Sequence, residues 1–329
     1  MKSEIGDLLA PASILGVGAV TPLGRDLQGI GKQLGRSAAA TAAHLRVSDE
    51  FLSDPAIGGR MRRADRFARM AAVAALDSWA GASDACASVA KDRVGLIVTS
   101  GFGPHCRGFR FLDGILDCGD SSALPTDFSH SVHGAAAAYI TELLELRGPS
   151  LSTTDFEIGF EQAVLLAQCW LDQRACDRVL VGAVEEIGEV LIHCASRMLG
   201  GEKIFVPGEG AVFLTLGPMD GEGLARLEAT APPPQVDLMM LDVPANPSPA
   251  TDQPTIAARH TTTFSPYFGH SASSSAFQLL GGFLSLSAGR PLGRLVQKAS
   301  PAELGAVDKV ATFKPSCDLR AASLLMTKA

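Results

Sequence analysis

Short apolar runs alternate along this chain with longer alanine-rich stretches, and that alternation limits what it can fold into more than any other feature. Val94–Thr99 is a continuous apolar run closed by Ser100-Gly101-Phe102-Gly103. Runs of this kind, without period-two patterning, read as strands covered on both faces. Similar strands are predicted over Ser13–Val17, Arg178–Gly182, Ala211–Leu216, Leu224–Ala229, Val236–Leu241, Lys309–Phe313 and Ala322–Met326. Between them, Asp65–Ala80 places Phe67, Met70, Ala71, Ala74 and Ala75 on one helical face. His133–Leu146, Phe160–Arg174 and Ser271–Ala288 complete the predicted helices, and the Pro-, Asn-, Ser- and Thr-rich Val243–Ala258 reads as a loop. The pattern is that of an α/β protein, with a weak boundary at Gly217–Gly223.

Composition narrows the function classes. With 329 residues, 47% hydrophobic and 19% charged, the chain can bury a large core. A net charge of −7 gives no reason to expect nucleic acid or an anionic membrane as partner. The one dense basic cluster is Arg60, Arg62, Arg63, Arg66 and Arg69. Seven scattered cysteines include no CxxC pair, which predicts a reduced, cytoplasmic protein. Met1-Lys2-Ser3-Glu4 is unlike a signal peptide, and the apolar window Ala276–Leu286 is too short to span a bilayer.

Several motifs then fall in a recognisable order. Ile14–Gly24 contains Gly16-Val17-Gly18-Ala19-Val20-Thr21-Pro22-Leu23-Gly24, followed by Ser129-His130-Ser131-Val132-His133-Gly134 and by Leu146-Arg147-Gly148-Pro149. Phe205-Val206-Pro207-Gly208-Glu209-Gly210-Ala211 and Gly269-His270, leading into Ser271–Ser275, come later. Together these resemble the landmarks of β-ketoacyl synthases. The resemblance implies a thiolase-like α/β fold: two pseudo-duplicated βαβαβ halves, residues 1–217 and 218–329, in an α-β-α-β-α layering. It implies no cofactor, and no residue set suggests a metal.

The departures lie in the catalytic set. A condensing enzyme needs a thiolate to carry the acyl group and two donors to stabilise developing oxyanions. Counted from Arg147-Gly148-Pro149, the family's cysteine position is Glu157. The first histidine position falls near Asp242, the family's lysine at Ser265, and the glycine-rich gating loop is replaced by Ser316-Cys317-Asp318-Leu319-Arg320. Only His270 survives. Glu186–Lys203 is also shorter than the excursion that usually helps build the acyl pocket.

The resemblance therefore implies a non-catalytic subunit similar to a chain-length factor, paired with an active ketosynthase in polyketide, aryl-polyene or fatty-acid-like biosynthesis. Glu157, His270 and Asp242 would mark its vestigial site. Asp127–Tyr139 and Leu151–Glu161, with Phe128, His130, His133, Thr154 and Phe156, would line the heterodimer interface. Acyl carrier protein would reach the complex, with Arg62, Arg63 and Arg66 as a docking patch. The alternative is a malonyl-carrier decarboxylase or acyl-thioester hydrolase using Glu157 and His270. Cys106, beside His105 in what reads as a glycine-rich loop, is expected to be an ordinary thiol. His130 and His133 lack a third metal donor, and Gly16 and Gly18 lack the rest of a dinucleotide fingerprint.

Overall fold

The computed structural model describes residues 9–36, 44–54, 58–198, 206–219, 223–230, 233, 235–241, 257–297, 306–315 and 321–329. In chain order the elements are β1 (Ala12–Val20), α1 (Leu27–Leu34), α2 (Arg66–Gly81), α3 (Ser83–Cys86), β2 (Val94–Ser100), α4 (His105–Cys118), α5 (Pro125–Ser131), α6 (Ala135–Leu144), β3 (Ser150–Thr154), α7 (Gly159–Asp172), β4 (Arg178–Glu185), α8 (Glu189–Met198) and β5 (Gly210–Gly217). They continue with β6 (Ala225–Thr230), β7 (Gln235–Leu241), β8 (Ala257–Thr263), α9 (Ser265–Phe268), α10 (Ser274–Ala288), β9 (Arg294–Gln297), β10 (Lys309–Pro315) and β11 (Ala321–Lys328).

The strands join in one ladder, β3-β2-β4-β5-β1 and then β6-β11-β10-β7-β8-β9. β2 runs parallel to β3 and β4, while β5 is antiparallel to β4 and β1. The second group repeats this: β7 is parallel to β8 and β10, and β11 is antiparallel to β10 and β6. Numbered within each group and without β9, the first reads 3-2-4-5-1 and the second 1-5-4-2-3, the same order from the opposite end. The same connectivity therefore occurs twice, and among the described residues the two groups pair where Ala12–Ile14 meets Ala225–Leu227.

Helices α2 and α6 cover one face of the first group, burying Phe67, Met70 and Ile140 against Leu96, Val98 and Phe213. Helices α7 and α10 hold the main core between the groups: α7 packs on β2 and β4 and reaches β6 and β11, while α10 packs on β10, β11 and β7 and touches α7. Ala311 and Phe313 turn away from Val310 into a small third cluster on the far face.

Gly16 and Gly18 have a packing role. A Cβ on Gly16 would fall 2.1 Å from Ser78 O, and one on Gly18 2.1 Å from Ala74 O. Glycine here lets α2 lie directly on β1, where Ser78 Oγ donates to Gly16 O at 3.1 Å. That accounts for both glycines without a dinucleotide.

The predicted strands and helices are present with edges moved by a few residues. Helix α6 stops before Leu146 because Glu145 turns left-handed, at φ 56°, and Leu146 N closes back onto Thr141 O. Helix α10 starts at Ser274 rather than Ser271, and ends on the left-handed Gly289. Several elements were not predicted, α1, α5, α8 and β9 among them, and two of these omissions are instructive. β8 begins at Ala257, inside the stretch read as a loop, whose residues 243–256 lie outside the described residues. Its sequence is polar, yet Thr262 is buried with its hydroxyl donating to Leu292 O and Arg294 O. The other is α4, which buries none of its residues within the chain.

Candidate functional site

The predicted nucleophile position lies where β3 feeds α7. Thr154 closes β3, its hydroxyl donating to Ser100 O at 2.9 Å and Gly101 O at 3.0 Å. Asp155 then accepts from Glu157 N and Ile158 N, both at 2.8 Å, closing the turn that leads into α7. Phe156 stands 62% exposed against Phe102, ring centroids 5.1 Å apart. Glu157 is half-buried at the helix head, a place where a carboxylate suits the helix dipole.

The segment carrying His270 meets this helix head. A Cβ on Gly101 would fall 2.2 Å from Ala272 Cβ and 3.4 Å from Phe156. Just downstream, Ser275 Oγ donates to the buried Glu161 at 3.1 Å. His270 is itself tied to the Glu209 turn: its amide donates to Val206 O at 2.7 Å, and Gly208 N donates to His270 O at 3.0 Å. Its Nδ1 faces the Val206 backbone, 3.3 Å from the amide nitrogen. Ser265, at the lysine position, is buried and accepts from Gln278 Nε2 at 3.2 Å. Asp242 and the Ser316–Arg320 segment lie outside the described residues.

Two acids that sequence reading passed over organise the surroundings. Glu185 ends β4 fully buried and accepts from Gly101 N at 2.6 Å, Ser273 Oγ at 2.6 Å and Ser100 Oγ at 3.2 Å. Burial pushes its carboxyl above the ordinary range, against the pull of these donors. Glu186 points the other way, as successive strand residues do, and accepts from Cys106 N at 2.9 Å. The two carboxylates thus pin both ends of the Gly101–Cys106 turn. Two acids at the end of the apolar run Val179–Val184 were the available signal, since charged residues are seldom buried without partners.

Glu185→Ala is expected to cost roughly 2–5 kcal/mol by leaving buried donors unmet, and Glu185→Gln about 1 kcal/mol, because an amide oxygen still accepts. A raised carboxyl contributes most below its ordinary value of 4.5 and loses that contribution as pH climbs through the raised value. Wild type should therefore lose more stability with rising pH than the Gln variant. Thermal unfolding of the three proteins across this range checks both points; equal losses for Ala and Gln would contradict them.

Cys106 and His105 open helix α4 rather than lying in a loop. Burial, with Glu186 adding to it, pushes the Cys106 thiol up to about 12, so it is a poor nucleophile at neutral pH. Burial also raises the Glu186 carboxyl to about 7 and lowers the His105 imidazole.

The predicted interface residues sit on an apolar surface. Phe128 is 58% exposed and packs on Phe111, with ring centroids 5.6 Å apart. His133 is exposed and lies under Gly103, while His130 Nε2 meets Tyr139 Oη at 3.2 Å. Phe102, Phe109, Leu112, Leu116, Leu124 and Val132 are exposed on or beside α4 and α5. β3 is the end strand of the ladder, and an open cavity of about 640 Å³ lies between it and α6. The arginine cluster divides: Arg62 and Arg63 are exposed, but Arg66 turns inward to the fully buried Glu209 at 2.5 Å.

A repeated 3-2-4-5-1 ladder with two helices between its halves, and a helix head facing a Gly-His segment, defines a condensing-enzyme scaffold of the thiolase fold. Residues 26–220 match the family described as β-ketoacyl synthase, N-terminal domain. The chain belongs to the β-ketoacyl synthase family. No curated protein matches it by sequence.

Solved structures match across nearly its whole length at low identity. A type II polyketide-synthase ketosynthase, in complex with its acyl-carrier protein and bound to the hexaketide, aligns at TM-score 0.74 and 16% identity, covering 98% of this chain and 100% of that one. The ishigamide ketosynthase/chain length factor gives 0.75 and 14%, with 98% and 100% coverage. A β-ketoacyl synthase from Burkholderia phymatum STM815 gives 0.78 and 14%, with 97% and 100% coverage. At these identities the likeness is one of fold. Among the described residues, no helix is long and apolar enough to cross a membrane.

Proposed function

We propose that this chain is a non-catalytic ketosynthase-like subunit of the chain-length-factor type. It pairs with an active β-ketoacyl synthase and shapes that partner's acyl tunnel in polyketide, aryl-polyene or fatty-acid-like biosynthesis. The observation that carries the reading is Glu157 at the head of α7, where the family resemblance places the acyl-accepting cysteine. A carboxylate there cannot hold the growing chain as a thioester. Cys106, the thiol beside this region, is held protonated by burial. In this reading Glu157 and His270 pair to fill the vestigial site, and the halves 1–217 and 218–329 keep the family's duplicated scaffold without its chemistry.

Two features support pairing: the exposed apolar face of α4 and α5, with Phe128, His130 and His133, and the end strand β3, with Thr154 and Phe156 beyond it. A helix that exposes Phe109, Leu112 and Leu116 leaves those apolar side chains to a partner. Carrier protein reaches the pair, with Arg62 and Arg63 as the basic groups free to meet an acidic surface. The ketosynthase/chain length factor and the carrier-protein complex among the structural matches are consistent with these partners.

The test is turnover by the chain alone. Incubated with malonyl-carrier protein, it should release no carbon dioxide and form no acyl-enzyme, and Glu157→Ala should change neither. Carbon dioxide release that disappears in Glu157→Ala would replace this reading with a decarboxylase using Glu157 and His270.

A further inference from the structure

His105, Cys106 and Glu186 bring an imidazole, a thiol and a carboxylate to one point at the start of α4, with one ligand atom from each within 4.8 Å of the others. The sequence assigns no metal here because the third donor comes from the end of β4, 80 positions from Cys106. The structure supplies it. Cys106 Sγ lies 3.7 Å from His105 Nε2. Zinc–ligand lengths of ~2.3 Å to sulfur and ~2.0 Å to nitrogen, at a tetrahedral angle, put such atoms about 3.5 Å apart. The widest spacing closes with side-chain movement of about 1 Å to reach the same geometry.

Three features around the donors suit ligation. His105 Nδ1 lies 3.4 Å from Gly103 O, and a hydrogen bond donated there leaves the Nε2 lone pair facing Cys106. Cys106 N donates to Glu186 Oε1 at 2.9 Å, which fixes the carboxylate's orientation. Gly188 stands over the pair: a Cβ there would fall 2.7 Å from Cys106 Sγ and 3.0 Å from His105 Nε2. Its backbone is not in the left-handed region, so the glycine is explained by the space it leaves at the donor atoms.

We propose that His105, Cys106 and Glu186 form a binding site for a borderline-soft divalent cation of the zinc type, with a fourth position open to water or another small donor. Binding releases the thiol proton and any proton on the Glu186 carboxyl. The dication is then neutralised by one thiolate and one carboxylate, with neutral imidazole completing the set. The aromatic rings of Phe102 and Phe109, with centroids 6.1 Å and 6.3 Å from that of His105, border the site and limit solvent access. The three donors all come from this chain, and none of them is Glu157.

The test uses the purified full-length chain, stripped with a chelator, loaded with Zn2+ or Co2+, and desalted. Elemental analysis should give one metal per chain, and the cobalt form should show a thiolate-to-metal charge-transfer absorption. Cys106→Ser should abolish that absorption and weaken binding by at least roughly tenfold. Glu186→Gln should also weaken binding while leaving circular dichroism unchanged, because its amide oxygen still accepts from Cys106 N. This variant decides the matter if Cys106→Ser fails to fold. Less than about a tenth of an equivalent of bound metal in wild type would overturn the proposal. So would a cobalt spectrum unchanged by Cys106→Ser, or binding unchanged by Glu186→Gln.

Discussion

Glu209→Ala should destabilise the chain by about 3–5 kcal/mol, enough to remove most of the stability of an ordinary domain. Glu209 is fully buried in the Gly208-Glu209-Gly210 turn. Its Oε1 accepts from Arg66 Nη2 at 2.5 Å, Arg66 Nε at 3.0 Å and Val47 N at 3.0 Å, and its Oε2 accepts from Ile187 N at 3.2 Å. One carboxylate thus ties the start of α2 to the segment after β4 and the strand entering β5. Its removal leaves the Val47 and Ile187 amides without their acceptor and takes the buried charge partner from Arg66, which keeps only Asp49 and Val47 O. Glu209→Gln keeps an acceptor and should cost less. Chemical denaturation of both variants checks the ordering, and equal losses would mean that side-chain shape, not charge pairing, holds the turn.

The second large effect concerns association. Phe128→Asp combined with Phe156→Asp should weaken the proposed complex with a ketosynthase by at least roughly a hundredfold, because aromatic anchors buried in an interface carry ~2 kcal/mol or more each. Both rings are mostly exposed in the isolated chain, so the double variant should keep the thermal stability of the wild-type chain. Sedimentation or titration calorimetry measures the affinity. An unchanged complex would move the interface away from α5 and the head of α7.

Much of this fold was legible because β1, β2, β4 and β5 are buried on both faces. The runs Val94–Thr99 and Ala211–Leu216 announced β2 and β5, and the small-residue face of Asp65–Ala80 announced α2. Helix α4 was hidden for the opposite reason. Gly108 and Gly114 interrupt it, and its apolar residues face outward, so the periodicity had no core to report. β8 was hidden because buried threonines and a histidine stand where apolar residues are usual.

The candidate site was legible only in part. Motif spacing placed Glu157 and His270 at two ends of one region, and the structure brings α7 and the 269–275 segment together at Gly101. Spacing could not show that Glu185 and Glu186 hold the Gly101–Cys106 turn, since those contacts link residues more than 80 positions apart or at that separation. Nor could it show that Arg66, read as part of a docking patch, is committed to Glu209. Arg62 and Arg63 alone carry that proposal forward.

The most direct test of the account is co-expression of the tagged chain with the active ketosynthase encoded nearest to it, followed by native mass spectrometry of the purified material. A one-to-one complex of the two chains is the expected result. A homodimer or monomer that leaves the ketosynthase unbound would contradict it.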